Sequence, residues 1–279
     1  MRTSKDNEQI SMLQTLKPLK KITELIFALI YAVFLSVIHK DTSRVVLYYH
    51  GVSKADIGCF KKQMEYLARR CTVVKASEIM AADVGGAKNV VAITFDDAFV
   101  NVMENAVPIL REYGLPGDIF VPVGNMGQIP HWEMPENCPD KNETVMSKEQ
   151  IEQLDKEGFE IFSHTLSHPV LTEILDSRLD VELIESKQAL ERIVGHEVIG
   201  ISYPHGNYDT RVRKAAEKAG YKLGFTIEPD VVDKATGCLE IGRVSVSPKD
   251  SLIKFKLKAS GAFHVVTYLR TLKRTLIPV

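Results

Sequence analysis

Short apolar runs alternate with longer amphipathic stretches from residue 45 to about residue 250. The runs are continuous and rich in β-branched residues, as in Val90–Ile93, which is typical of strands buried on both faces. The stretches between them have helical spacing, and Leu179–Val194 is the longest. This alternation predicts an α/β fold with a parallel sheet. The predicted strands are 45–49, 73–74, 90–94, 117–123, 160–163, 198–203, 223–226 and 241–246; the predicted helices are 59–69, 101–113, 147–157, 179–194 and 210–219, with another beginning at 76–80.

The first 44 residues form a basic segment followed by a separate apolar run. Lys20 and Lys21 precede the run Ile22–Ile38, which contains Glu24 near its start. This length is at the short edge of the roughly 17 to 25 residues that a membrane-spanning helix needs, and no small-residue cleavage site follows. We therefore expect a single-pass membrane anchor, with the N-terminus in the cytoplasm and the rest of the chain outside. A helix packed on the following domain is the alternative.

The last residues form a basic tail in which cationic and apolar positions alternate. Lys254, Lys258 and Arg270 stand among apolar residues such as Phe255 and Leu269. Such a stretch either lies on anionic lipid or packs its apolar face on its own domain. The sequence thus divides into an N-terminal segment at 1–44, a domain at 45–250 and a tail at 251–279.

Composition and charge exclude several classes of protein. The 279 residues are 45% hydrophobic and 25% charged, as in ordinary globular proteins, and the net charge of -1 argues against a nucleic-acid partner. No C-x₂-C pair, glycine-rich phosphate loop or G-x-S-x-G element occurs, so zinc ribbons, kinases and serine hydrolases have no support. The four cysteines do not decide the redox compartment. The helix predicted between Cys59 and Cys71 separates them too widely for a disulfide, whereas a Cys138–Cys238 bridge stays open.

Two aspartates and two histidines carry the candidate chemistry, and each pair follows a predicted strand. The pairs are Asp96 with Asp97, and His164 with His168. One carboxylate and two imidazoles can hold a Zn²⁺-like ion that keeps a position open for water, and the second carboxylate can act as general base. Adjacent strand residues point to opposite faces, so consecutive aspartates can serve one site only where the chain turns. The histidines share one side if their segment is helical, but Pro169 makes a loop equally compatible.

These residues resemble the motifs of the polysaccharide deacetylases, the NodB-homology or carbohydrate esterase 4 family. Thr94–Ala98 is similar to the first motif, Ser163–Pro169 to the second and Ile201–Gly206 to the third. Further matches at 47–52, 146–151 and 240–244 extend the resemblance over roughly residues 45 to 250, in the order of the family. The resemblance implies a distorted (β/α)₇ barrel, whose chemistry lies at the ends of the strands.

The resemblance also implies a role for each matching residue. Asp96 would be the base, and Asp97, His164 and His168 would hold one divalent ion, with Zn²⁺ expected. The backbone N–H of His205 would help to stabilise the oxyanion of the tetrahedral intermediate.

The sequence departs from the motifs of the family at three places. Ala98 replaces a glycine. Ser202 stands where many members have an arginine that pairs with the catalytic aspartate; Arg243 could orient Asp96 instead, and a plain salt bridge is the alternative. No Leu-x-His motif near the C-terminus supplies the usual general acid, and the surroundings of His264 do not match that motif.

Four further residues are expected to line a substrate pocket. His50 ends the first strand and could act as an acid or be structural. Trp132 lies in the long loop 124–145, where it could stack on a sugar ring or pack in the core, and long loops are often functional. Tyr203 and Pro204 belong to the third motif.

The sequence therefore predicts a metal-dependent enzyme that removes acetyl groups, foremost N-acetyl groups, from a glycan. The partners expected are an acetylated glycan and, through residues 22–38, a membrane. One alternative is a catalytically weak or inactive glycan-binding module at the membrane, and another is a C–N hydrolase acting on a lipid-linked sugar. The presence of Asp96, Asp97, His164 and His168 together argues against complete loss of activity.

Overall fold

The strands of the protein are parallel and form a nearly closed barrel. The computed structural model describes residues 43–81, 89–136, 138–233 and 235–265, together with Ile26 and Ile30. The strands are β1 (Arg44–Tyr49), β2 (Cys71–Val74), β3 (Asn89–Phe95), β4 (Asp118–Val121), β5 (Glu160–Ser163), β6 (Gly200–Ser202), β7 (Leu223–Phe225) and β8 (Arg243–Ser245). They pair in the order β7-β6-β5-β4-β3-β1-β8, with β2 beside β3. A parallel bridge between Phe225 and Ile241 brings the two ends of this sheet together.

Helices follow most of the strands, as the alternating pattern predicts. They are α1 (Ile57–Arg70), α2 (Val107–Tyr113), α3 (Lys148–Lys156), α4 (Asp176–Val194), α5 (Thr210–Lys218) and α6 (Leu252–Ala259). The capping box that the sequence predicts at α3 is confirmed, since the Ser147 hydroxyl accepts from the Gln150 N–H while the Gln150 side chain accepts from the Ser147 N–H.

Two predicted helices differ from the structure. The helix expected over 101–113 begins with a π-helical segment, Val102–Ala106, before α2. Pro108 in the first turn of α2 has no N–H to donate to a carbonyl one turn earlier, which accounts for the altered hydrogen bonding. The helix expected from 76 is a single 3₁₀ turn, Ala76–Glu78, whose first amides are held by the carboxylates of Asp118 and Glu160.

Alternate strand residues divide between two apolar layers. Val91 and Ile93 of β3 face the layer between the sheet and the helices. The intervening residues of β3 belong to the barrel interior, which is filled by the rings of Phe120, Phe162 and Phe225. By the same alternation, the side chains of Asp96 and His164 continue the interior rows of β3 and β5 at the carboxyl ends of these strands. The polar residues therefore cover the apolar interior at the end where parallel barrels carry their chemistry.

The beginning of the basic tail packs on the domain. In α6, Phe255, Leu257 and Ala259 are buried, and the ring of Tyr66 on α1 lies 6.2 Å from that of Phe255. This placement follows the second of the two interpretations of the tail, in which its apolar face packs on its own domain. Residues 266–279 lie outside the described residues.

The expected anchor at 22–38 also lies outside the described residues, apart from the exposed helical residues Ile26 and Ile30. Within the described ranges, no helix combines the length and the apolar character that crossing a membrane requires. All four cysteines are free thiols, so the Cys138–Cys238 bridge that the sequence left open does not form.

Candidate metal centre and active site

The chain turns sharply after β3, and this turn gives the two aspartates different directions. Asp97 and Ala98 have φ angles of 67° and 49°, in the left-handed region that non-glycine residues seldom occupy. Each such residue costs about 1–3 kcal/mol and persists only where its surroundings enforce it. Both carboxylates are buried, with 3% and 4% of Asp96 and Asp97 exposed. The expectation that adjacent aspartates can serve one site at a strand end agrees with this turn.

The two histidines lie on a loop after β5. This loop contains two further left-handed residues, Thr165 with φ 69° and His168 with φ 59°. The His168 N–H donates to the Thr165 hydroxyl, and the Thr165 N–H donates to the Ser163 hydroxyl. Of the two conformations that the sequence allowed, the structure therefore has the loop.

Asp97, His164 and His168 converge on one point. Their candidate ligand atoms all lie within 4.8 Å of one another, and the Oδ1 atom of Asp97 is 3.5 Å from Nε2 of His164 and 3.6 Å from Nε2 of His168. The Nδ1 atom of His164 is 2.9 Å from the carbonyl oxygen of Ser202, to which it must donate, so Nε2 carries the lone pair. Among the described residues, Asp97 Oδ1 has no hydrogen-bond partner. A lone pair and a carboxylate oxygen that face each other without a proton donor fit a cation between them.

Burial shifts the pKa values of these three groups towards their neutral forms. It raises the pKa of Asp97 to about 7, lowers the pKa of His164 to about 4, and lowers the pKa of His168 further still. Neutral imidazole is the form that binds metal ions, so both histidines are ready as ligands at neutral pH. One carboxylate and two neutral imidazoles are a donor set that suits Zn²⁺.

Arg243 holds the other aspartate in a fully buried ion pair. Its Nη1 and Nη2 atoms lie 2.7 Å and 2.8 Å from the two carboxylate oxygens of Asp96, and Nη2 also donates to the Ser202 hydroxyl at 2.6 Å. The guanidinium lies over the rings of Tyr48 and Phe120. The small side chain at Ser202 leaves room for this arginine, which occupies the position beside Asp96 that the departure from the motif had left open. Burial alone would raise the pKa of Asp96, but Arg243 and His164 outweigh it and hold this pKa below the usual range.

A cavity of about 410 Å³ opens above these groups. Its lining includes His50, Trp132 and His205 around the metal-ligand candidates, with Asp140 and Cys138 from the long loop. The indole of Trp132 stacks on the His168 ring at 4.3 Å. The structure thus places Trp132 over a candidate ligand, and His50, which is exposed, at the mouth of the cavity.

Two residues of the third motif, Tyr203 and His205, line the cavity together with His168. His205 has a φ of 58°, and its ring lies 4.8 Å from that of His168. Tyr203 lines the cavity, while its hydroxyl donates to the carbonyl oxygen of Leu239. Pro204 is buried and is not part of the cavity lining, so the expectation that it lines the substrate pocket is wrong.

His264 lies in another depression. Its Nδ1 atom is 2.5 Å from Asp230 Oδ1, and it lines a surface pocket with Glu228 and Asp233. His264 therefore does not line the cavity of the candidate metal ligands, in agreement with the mismatch between its surroundings and the motif of the general acid.

Two residues beside the site were missed by sequence reasoning. Glu182 on α4 holds the loop between the histidines, and Asp140 lines the cavity near Asp97. The sequence does contain an indication for Glu182, because this residue falls on the apolar face of α4 between the buried residues Leu179 and Leu183. A carboxylate on such a face needs a buried partner. Asp140 had none, since it belongs to a loop without periodicity.

Comparison with known proteins decides the family. A sequence profile described as polysaccharide deacetylase matches residues 83–224, just over half of the chain. The chain belongs to the polysaccharide deacetylase family. The resemblance seen in the three motifs is thereby confirmed.

The family includes two relatives with informative names. The chain is 29% identical over 218 residues to YxkH of Bacillus subtilis (strain 168), which is named as a candidate polysaccharide deacetylase. The aligned residues make up 75% of this chain and 73% of that protein. The chain is also 27% identical over 186 residues to the poly-β-1,6-N-acetyl-D-glucosamine N-deacetylase of Staphylococcus aureus (strain N315). This alignment covers 63% of this chain and 60% of that enzyme. This deacetylase family member is therefore a hydrolase that acts on non-peptide carbon–nitrogen bonds.

Two solved structures share its fold. The deacetylase PplD of Streptococcus pyogenes, in complex with acetate, superposes with a TM-score of 0.65 at 22% identity over 78% of this chain and 98% of that chain. IcaB from Ammonifex degensii superposes with a TM-score of 0.65 at 23% identity over 79% of this chain and 97% of that chain. At these identities the similarity shows the nearly closed, parallel α/β barrel.

Proposed function

We propose that the protein is a metal-dependent de-N-acetylase of a glycan, with Zn²⁺ as its ion. One observation carries the proposal: the candidate ligand atoms of Asp97, His164 and His168 lie within 4.8 Å of one another. They lie beside Asp96, which is held by the buried Arg243. A structural salt bridge would require Arg243 and Asp96 alone. The additional convergence of a carboxylate and two imidazoles in an open cavity is what a hydrolytic metal site requires.

The residues then divide the reaction among them. Asp97, His164 and His168 would hold the ion, which when bound supplies an acidified water and polarisation of the acetyl carbonyl. Asp96 accepts the water proton, and the two hydrogen bonds from Arg243 aim its carboxylate. The N–H of His205 stabilises the oxyanion. His50, the exposed histidine at the mouth of the cavity, donates a proton to the departing amine.

The cavity supports a sugar polymer as the substrate. A second depression of about 240 Å³ adjoins the first and shares His50 and Asp140 with it, so a neighbouring sugar has room beside the one that reacts. Trp132 and Tyr203 provide apolar surface for the reacting sugar. The staphylococcal relative is named for poly-β-1,6-N-acetyl-D-glucosamine, and we propose a substrate of this chemical class.

Two structural features complete the proposal. The seven strands of the nearly closed path, with β2 outside it, support the description of the fold as a distorted (β/α)₇ barrel. The apolar run 22–38 supports a single-pass anchor that places the catalytic domain outside the membrane.

Metal analysis combined with acetate release tests the function. The purified protein should contain about one zinc per chain, and it should release acetate from β-1,6-linked N-acetylglucosamine oligomers in preference to O-acetylated xylan. Metal-loaded protein that binds these oligomers without releasing acetate would favour the inactive binding module. Release only from a lipid-linked sugar would favour the other hydrolase.

A further inference from the structure

A single buried carboxylate on α4 holds the loop that carries both candidate histidine ligands. Glu182 is fully buried, whereas the neighbouring Arg178 is exposed. Such a charge is stable in the interior only when it is paired and hydrogen-bonded. Its partners therefore show what it does there.

Within the described part of the chain, the hydrogen bonds of the Glu182 carboxylate all lead to the histidine loop or to Arg178, which supports it. Its Oε2 atom accepts from the N–H groups of Leu166 and Ser167, at 3.0 Å and 2.8 Å. Its Oε1 atom accepts from the Ser167 hydroxyl at 2.5 Å and from the guanidinium of Arg178. Arg178 also donates to that hydroxyl at 3.1 Å, which closes a ring of contacts around the loop.

The other side of the same loop is held by backbone bonds. The N–H groups of Val123 and Gly124 donate to the carbonyl oxygens of Thr165 and Leu166, at 3.1 Å and 2.7 Å. Glu182 satisfies the N–H groups that point the opposite way. The loop between the histidines is thus held from both sides, at the point where Thr165 takes a left-handed conformation.

We infer that Glu182 is a positioning residue for the metal centre, acting through the backbone of the loop 165–167. This inference rests on the proposed metal site. Without the carboxylate, the strained loop is held on one side only, and the Nε2 atoms of His164 and His168 lose their fixed separation from Asp97. Partners that orient metal ligands from outside the coordination sphere typically change metal affinity by about 10- to 100-fold when they are removed.

The isosteric variant Glu182→Gln tests the inference. Whichever way the new amide turns, its NH₂ group faces either the two N–H groups of the loop or the guanidinium of Arg178, so one set of hydrogen bonds becomes donor against donor. We expect the zinc dissociation constant, measured by competition with a chromophoric chelator, to rise about 10-fold or more. A role in packing alone would lower the melting temperature of the zinc-free protein and leave this constant unchanged.

Glu191→Gln on the same helix is the matched control. Glu191 also accepts a backbone N–H, from Val198 at 3.1 Å, and pairs with a cation, Lys187, but it does not contact the histidine loop. We expect its zinc affinity to equal that of the wild type. If Glu182→Gln does not fold, Ser167→Ala removes one bond to Glu182 and should weaken zinc binding in the same direction.

The outcomes separate the inference from the proposed function. Wild-type affinity in a folded Glu182→Gln variant, or in Ser167→Ala when that variant replaces it, would overturn the inference while leaving the metal site intact. Equal losses in Glu182→Gln and Glu191→Gln would also overturn it, because a general loosening of α4 would then explain both. A wild-type protein that binds no zinc would instead refute the proposed metal site, and the inference with it.

Discussion

At the residue scale, the adjacent aspartates have the same chemistry and opposite surroundings. Asp96 faces a buried arginine, and its pKa is held below the usual range. Asp97 lies beside the imidazoles of His164 and His168, and burial raises its pKa to about 7. A left-handed backbone at Asp97 separates the two environments within one residue. The geometry is the basis for proposing Asp97, which converges with the two imidazoles, as the ligand and Asp96, which Arg243 orients beside them, as the base.

Amide substitutions should separate these two roles. Asp96→Asn keeps the shape of the side chain but cannot accept the water proton, so kcat should fall by about 10²- to 10⁴-fold while zinc content stays near one per chain. Asp97→Asn should weaken zinc binding, and excess zinc should restore part of its activity. Acetate release and bound zinc, measured on both variants, check the assignment. If zinc rescued Asp96→Asn and not Asp97→Asn, the roles would be exchanged.

Replacing Arg243 should change the pH dependence of the reaction. Arg243→Met removes the charge that holds the pKa of Asp96 low, and burial then raises this pKa. Because the base works only when deprotonated, the acidic limb of the kcat/KM profile should move to higher pH, and kcat at neutral pH should fall. Zinc content should remain that of the wild type. An unshifted acidic limb would leave Arg243 as a structural ion pair.

At the element scale, the alternation of side-chain direction along the parallel strands brings the site together. Asp96 and His164 follow β3 and β5 on the side of the apolar interior, and Arg243 begins β8 with its guanidinium over Phe120. The aromatic rings below exclude water from one side of the polar cluster, which strengthens its electrostatic interactions. The functional groups thus rest on the aromatic interior of the barrel.

The amino end of β4 holds a further buried carboxylate. Asp118, at the start of β4, accepts from the Ala76 N–H at 2.7 Å, and burial raises its pKa well above the usual range. Its folded-state pKa therefore exceeds the unfolded value, so its contribution to stability is full below the unfolded pKa and is lost as pH rises towards the folded pKa.

The variant Asp118→Asn isolates this contribution. The free energy of unfolding of the wild type should fall relative to this variant by up to about 1.4 kcal/mol per pH unit above pH ~4. Urea unfolding at a series of pH values measures the difference. Asp250→Asn provides a contrast. Burial alone would raise the pKa of Asp250, but Lys258 and Lys254 outweigh burial and hold this pKa below its usual value. The contribution of Asp250 to stability is therefore lost only in acid. Parallel curves for the wild type and Asp118→Asn would show that Asp118 keeps an ordinary pKa.

At the scale of the whole molecule, the remaining question is how the barrel is held in the cell. If the run 22–38 is an anchor, the full chain should stay in membranes through a high-salt wash and require detergent for release, because insertion is hydrophobic and salt screens only charges. A shortened chain that begins at Asp41 keeps Ser43, which bonds to Asn89 and Ser260, and should be soluble and bind zinc. Fractionation of both forms measures this, and a full chain that is soluble without detergent would refute the anchor.

Sequence alone determined the parts of this protein whose signal is local. The alternation of apolar runs and helical stretches predicts the parallel sheet, because a strand that is buried on both faces has consecutive apolar residues. The Asp96–Asp97 and His164–His168 pairs reveal their chemistry because few other reactions need those side chains at strand ends. The capping box at Ser147 is equally local and is confirmed.

Tertiary structure alone decided the features that depend on residues far apart in the chain. The sequence suggests that Arg243 could orient Asp96, but the two residues are 147 positions apart and only the nearly closed barrel brings them together. Glu182 reaches the histidine loop only because α4 packs beside β5. The left-handed conformations of Asp97, Thr165 and His168 are likewise enforced from outside, since residues other than glycine seldom keep them unless their surroundings require it. Local sequence encodes propensity and chemistry, whereas the positions of the reacting groups follow from packing.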